Sequence, residues 1–123
     1  MRTPAYACVQ GYRPGVTWQI WNVPADVVRI VDGDTLILDL DLGWHVSMRG
    51  QRCRLAFVNA PEMNTPEGRA ARDWVVAVLP LGTVVRFVSH SLDKYGRPLG
   101  AVILPDSSDL GLRLLAAGHA VKA

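Results

Sequence analysis

The chain has 123 residues, half of them apolar, with 13 basic and 11 acidic side chains and a formal charge of +2. That size suits one domain that buries roughly two-thirds of its unfolded surface without disulfide or metal staples. No apolar stretch approaches the ~18 residues of a membrane span, and so small a charge excludes a broad electrostatic footprint for nucleic acid.

The kinds of charged and sulfur-bearing residues narrow the field further. Cys8 and Cys53 stand far apart, without a CxxC pair or a neighbouring histidine cluster. This argues against a disulfide scaffold and a zinc site, and Cys53 reads as a buried small hydrophobe. Eleven of the thirteen basic residues are arginine. A planar guanidinium fork suits phosphate oxygens, although codon bias in a GC-rich genome accounts for the excess on its own. Glu62 and Glu67 are the two glutamates, which shortens the list of candidate bases.

Residues 1–19 read as an N-terminal extension, with Tyr6, Tyr12 and Trp18 set among turn residues and no clear period. No basic segment followed by an apolar run opens it, so it does not read as a secretory signal and the expected compartment is the cytoplasm. The domain proper is expected over 20–123. Val27–Val31 reads as a strand, Asp32-Gly33-Asp34 as a tight turn and Thr35–Leu42 as a second strand. There Leu36, Leu38, Leu40 and Leu42 alternate with Ile37, Asp39 and Asp41, the period of a half-buried strand. A loop at Gly43-Trp44-His45, where Trp44 is expected to pack, leads to a third strand running through Arg52 to Val58.

Thr65 as N-cap, Pro66 at the first helical position and Glu67 in the first turn announce a helix. Its buried face is expected at Ala70, Trp74 and Val78, and Pro80 ends it. Val84–His90 and Leu99–Leu104 form a hairpin around Asp93–Arg97. A closing helix starts near Ser108 or Asp109, carries Leu110, Leu114 and Leu115, and stops at Gly118. Three strands, a helix, two strands and a helix predict an α+β fold, a five-stranded OB-fold barrel with two flanking helices.

Three segments carry charges that a fold alone does not require. In Asp32-Gly33-Asp34-Thr35 a hairpin turn accounts for the first two residues, while Asp34 opens a strand, where a carboxylate suits a hard cation better than a ladder. In Arg54–Glu62 an arginine lies in an apolar strand that ends in Asn59 and Glu62. It reads either as a satisfied internal ion pair or as a phosphate-binding cation beside a general base. Asp93-Lys94-Tyr95-Gly96-Arg97 needs its Asp and Gly as a turn, but not the Lys-Tyr-Gly-Arg order.

Taken in order, these segments resemble the staphylococcal nuclease family, which shows Asp-Gly-Asp-Thr, an Arg-initiated strand ending in Asp-x-Pro-Glu, and Asp-Lys-Tyr-Gly-Arg. The resemblance runs from about residue 21 to the end. It implies a calcium-dependent phosphodiesterase that cleaves DNA and RNA with little sequence preference, favours single strands and leaves 3′-phosphates. By position it makes Asp34 a calcium ligand, Asn59 a second ligand in place of the usual carboxylate, the Ala60 carbonyl a backbone ligand and Asp32 an outer-shell residue. It makes Glu62 the general base, Arg54 and Arg97 the phosphate grip, and Lys94 and Tyr95 the lining of a terminal-phosphate pocket.

Asn59 supplies a neutral oxygen, which lowers the expected calcium affinity. The chain ends at Ala123, about where the family continues into a base-stacking tyrosine segment and a further helix, so the C-terminus reads as shortened. Both departures favour a rival reading, a catalytically weak OB module that binds nucleic acid or protein.

Overall fold

The computed structural model describes residues 21–123, apart from the His90 side chain. The proposed extension over 1–19, with Tyr6, Tyr12, Trp18 and Cys8, lies outside the described residues.

Strand β1 (Trp21–Asp32) is long enough to serve two neighbours. Trp21–Asp26 pairs antiparallel with β5 (Val84–Leu92), and Ala25–Asp32 pairs antiparallel with β2 (Thr35–Gly43). β2 continues through a hairpin into β3 (Val46–Leu55), which runs parallel to β6 (Pro98–Ile103), itself the hairpin partner of β5. The order β1-β2-β3-β6-β5 therefore closes on itself as the expected five-stranded barrel. Leu36, Leu38 and Leu40 point inward with Val27, Ile30, Cys53, Leu55, Val85, Phe87 and Val102, so the alternation read in β2 is the barrel's interior. Burial pushes the Cys53 thiol up to about 12, as a core position demands.

Helix α1 (Pro66–Val78) packs on β1, and α2 (Leu110–Ala116) packs on β6. Thr65 caps α1 as expected, accepting the Gly68 N–H at 3.0 Å. Asp109 caps α2, accepting from Gly111 and Leu112, and Gly118 ends it at φ 77°. The face of α1 differs from the expected one: Ala70 is exposed, and Gly68, Ala71, Val75 and Leu79 are buried, with Trp74 and Val78 on the flank. The stripe keeps its spacing of four but is shifted by one residue along its length, with Ala71, Val75 and Leu79 in place of Ala70, Trp74 and Val78.

Two other expectations give way. β3 stops at Leu55 instead of running to Val58. Phe57 turns the chain at φ 66°, and β4 (Val58–Asn59) pairs separately with β7 (Val121–Lys122). Trp44 does not pack: it stands 96% exposed at the β2–β3 hairpin tip, where Gly43, Trp44 and His45 all take positive φ. Among the described residues no helix is long and apolar enough to cross a membrane.

Candidate active site

The site begins where β1 turns into β2. The Asp34 N–H donates to Asp32 Oδ1 at 3.0 Å, which folds the turn on its own side chain. Gly33 lets that turn sit against its surroundings: a Cβ there would lie 2.7 Å from the Ala60 Cβ and 3.0 Å from the Ala71 Cβ. Glycine is thus required for close approach as well as for bending. Asp34 is 9% exposed. Its Oδ1 accepts from the Thr35 hydroxyl at 3.2 Å and its Oδ2 from the Ala60 N–H at 2.9 Å.

The strand ladder brings Arg54 alongside. Thr35 lies opposite Arg54, Leu55 N–H donates to the Asp34 carbonyl at 2.9 Å, and Arg54 is in turn level with Leu99 of β6. Arg54 Nη1 lies 3.3 Å from Asp34 Oδ2. The same nitrogen donates to the carbonyls of Leu55 and Val58, each at 2.9 Å, and Nη2 donates to Asn59 Oδ1. The premature end of β3 has its cause here, because the Leu55–Val58 reversal curls around the guanidinium. The internal ion pair is therefore present, and these three hydrogen bonds engage three of the five Arg54 N–H groups.

Two carboxyls so close titrate apart. Burial, then the neighbouring Asp34, pushes the Asp32 carboxyl up to about 6. Burial also works against ionising Asp34. There the hydrogen bonds from Asp32, the Ala60 N–H and Thr35, together with the Arg54 charge, outweigh it and hold Asp34 below the ordinary carboxylate value.

Glu62 follows three residues after Asn59, exposed at the entry to α1. Its carbonyl accepts from Thr65 twice, from the N–H at 3.1 Å and from the hydroxyl at 2.6 Å. Gly68 comes down on the same carbonyl so closely that a Cβ would lie 1.8 Å from it.

The β5–β6 turn carries the remaining candidates. Asp93 Oδ1 accepts the N–H groups of Tyr95 and Arg97, both at 2.9 Å, while its Oδ2 pairs with Arg97 Nε at 2.6 Å. Burial works against the Asp93 charge, but these bonds and the Arg97 charge prevail and keep its carboxyl below the ordinary value. Because Asp93 takes Nε, the two terminal nitrogens of Arg97 are left out of that ion pair. The Lys94 ammonium and the Arg97 guanidinium lie 5.2 and 5.3 Å from the exposed Tyr95 ring centre.

Asp32, Asp34, Arg54, Asn59 and Ala60 therefore form one bonded cluster, with Glu62 at its strand end. Lys94, Tyr95 and Arg97 belong to the turn that leads into β6, the strand beside Arg54. Sequence reasoning passed over three supporting residues: Asp93 as the holder of Arg97, Gly33 as a contact of Ala60, and Thr65 as a donor to Glu62. The run Glu62-Met63-Asn64-Thr65-Pro66 carried a usable signal for the last, since so short a link between strand end and helix cap forces the two together.

A family model of staphylococcal nuclease homologues matches residues 52–123. The chain is 34% identical over 100 residues to an uncharacterized endonuclease of Escherichia coli O157:H7, an alignment covering 80% of this chain and 60% of that protein. It is 38% identical over 92 residues to a micrococcal nuclease of Shigella flexneri, covering 70% of this chain and 49% of the other. An endonuclease of Bacillus subtilis strain 168 is 34% identical over 107 residues, 76% of this chain and 8% of that protein. The chain thus spans about half to three-fifths of the first two relatives. The family match takes in more than half of the chain, including Arg54, Asn59, Glu62 and the Asp93–Arg97 turn, and the chain belongs to the staphylococcal nuclease homologue family.

Proposed function

We propose that the protein is a calcium-dependent nuclease that hydrolyses phosphodiester bonds in DNA and RNA with little sequence preference, favours single strands and leaves 3′-phosphates. The observation that carries this reading is the Asp34–Arg54–Asn59 cluster with Glu62 at its edge, in a chain of this family. Among the described residues no group of three or more His, Cys, Asp and Glu side chains gathers around a common point. A metal site here draws instead on amide and backbone oxygens. The Asp34 carboxylate, the Asn59 amide oxygen and the Ala60 carbonyl are all hard oxygens on adjoining, hydrogen-bonded segments, so the residues fit calcium.

Asp34, Asn59 and the Ala60 carbonyl would hold the ion, with Asp32 reaching it through water. When bound, the ion offsets negative charge on a non-bridging phosphate oxygen. The chain's own residues do the rest. The Arg97 fork, held from behind by Asp93, takes two phosphate oxygens, and the N–H groups of Arg54 outside its hydrogen bonds to Leu55, Val58 and Asn59 add a second grip. The Glu62 carboxylate accepts a proton from the attacking water as its oxygen bonds to phosphorus. The bond from phosphorus to the 5′ oxygen breaks, that oxygen leaves with the electron pair and takes a proton from solvent to become a 5′ hydroxyl, and the phosphate stays on the 3′ side. Lys94 and Tyr95 line the place of a terminal phosphate.

One observation favours a second reading, the weak OB module. Arg54 engages both Asn59 and Asp34, two of the oxygens a metal needs. Heat-denatured DNA and plasmid incubated with calcium, magnesium or EDTA separate the two. The nuclease reading expects cleavage with calcium, none with chelator, and ends that a polymerase extends only after phosphatase treatment. Binding without cleavage under every condition would establish the module instead.

A further inference from the structure

We propose that Thr65 is a positioning residue for Glu62, through one hydroxyl that caps α1 and grips the Glu62 backbone together. The inference rests on the reading of Glu62 as the general base.

A general base works only within about 2.6–3.2 Å of the proton it takes. Among the described residues no side-chain hydrogen bond holds the exposed Glu62 carboxylate, so its placement must come through the main chain. That main chain is held unusually well. The Glu62 carbonyl accepts both the Thr65 N–H and the Thr65 hydroxyl, which uses both of its lone pairs. The hydroxyl has one proton, and it goes to Glu62; its oxygen then accepts the Gly68 N–H.

Neighbours close the arrangement. Pro66 presets the first helical φ. A Gly68 Cβ would collide with the Glu62 carbonyl and come within 2.9 Å of the Pro61 carbonyl, so only glycine lets the first turn of α1 settle there. Arg69 Nη1 also donates to the Met63 carbonyl at 3.4 Å.

The other helix provides an internal control. α2 is capped by Asp109, which accepts from Gly111 and Leu112 and donates nothing. Aspartate is as good an N-cap as threonine or better. Capping alone therefore does not require threonine at the start of α1; a group that both accepts and donates does.

The test compares Thr65→Asp, Thr65→Ser, Thr65→Ala and Glu62→Gln for thermal unfolding, KM and kcat on heat-denatured DNA with saturating calcium. Thr65→Asp keeps the cap and loses the donor. It should melt within a few degrees of the parent and keep its KM, while kcat falls about tenfold to a hundredfold, the cost of misplacing a reacting group by roughly an ångström. Repulsion of substrate by the new charge would instead raise KM and fade with salt. Thr65→Ser, which keeps both bonds, should restore kcat to within about threefold. Thr65→Ala removes the donor without adding charge or bulk and should also lower kcat more than it raises KM, which keeps the test decisive if Thr65→Asp does not fold. Parent-like kcat in a folded Thr65→Asp or Thr65→Ala, with Glu62→Gln crippled, overturns the role of Thr65 while leaving Glu62 as base. Parent-like kcat in Glu62→Gln overturns both.

Discussion

At the residue scale the site is a set of shared hydrogen-bond partners. Arg54 bonds two carbonyls and an amide oxygen and pairs with a carboxylate, so it holds the turn that carries Asn59. Those partners were unreadable beforehand, because a sequence shows an arginine in a strand but not which oxygens curl around it. Asn59 is the residue where family pattern and chain part, and it yields a direct prediction. Asn59→Asp adds a full charge next to the calcium position, partly offset by repulsion from Asp34 and by a stronger pair with Arg54. A net gain of about 1 kcal/mol, or roughly fivefold tighter calcium, is expected. Calorimetric titration with a phosphate analogue present measures it. Unchanged or weaker binding in a folded variant would remove Asn59 from the ligand set.

At the element scale, close approach decides the geometry. The β1–β2 turn touches Ala60 and Ala71 only because residue 33 has no side chain. Gly33→Ala should therefore cost about 1–3 kcal/mol of stability through overpacking, read by denaturant unfolding. Adding Ala60→Gly removes the nearer of the two contacts and should recover part of that loss; a double variant no more stable than Gly33→Ala would show that the contact does not set the cost. The caps, the paired strands and the 93–97 turn were legible because Thr65, Pro66, Asp109 and Gly118 have local signatures. The end of β3 was not, since Ala56 and Phe57 look like strand residues and the break depends on Arg54. The face of α1 slipped for a related reason: Gly68 and Ala71 are buried by contact with the Asp32–Thr35 and Glu62 segments, which no helical period reveals.

At the scale of the whole molecule, the barrel order places β2, β3 and β6 side by side, and with them Asp34, Arg54 and the turn that bears Arg97. The alternation in β2 and the order of elements carried enough information to anticipate that closed sheet. They did not reveal that β1 spans two partners, because the pairing of Trp21–Asp26 with β5 is set by closure across distant sequence. On the proposed function, this arrangement aims Glu62 at a water beside a phosphate held by Arg97. Single-turnover cleavage of heat-denatured DNA at saturating calcium, by the parent, Glu62→Gln and Arg97→Ala, tests it most directly. Each variant should fold normally and lose about 10² to 10⁴ in rate. Cleavage at the parent rate by both would leave Glu62 and Arg97 without a catalytic role.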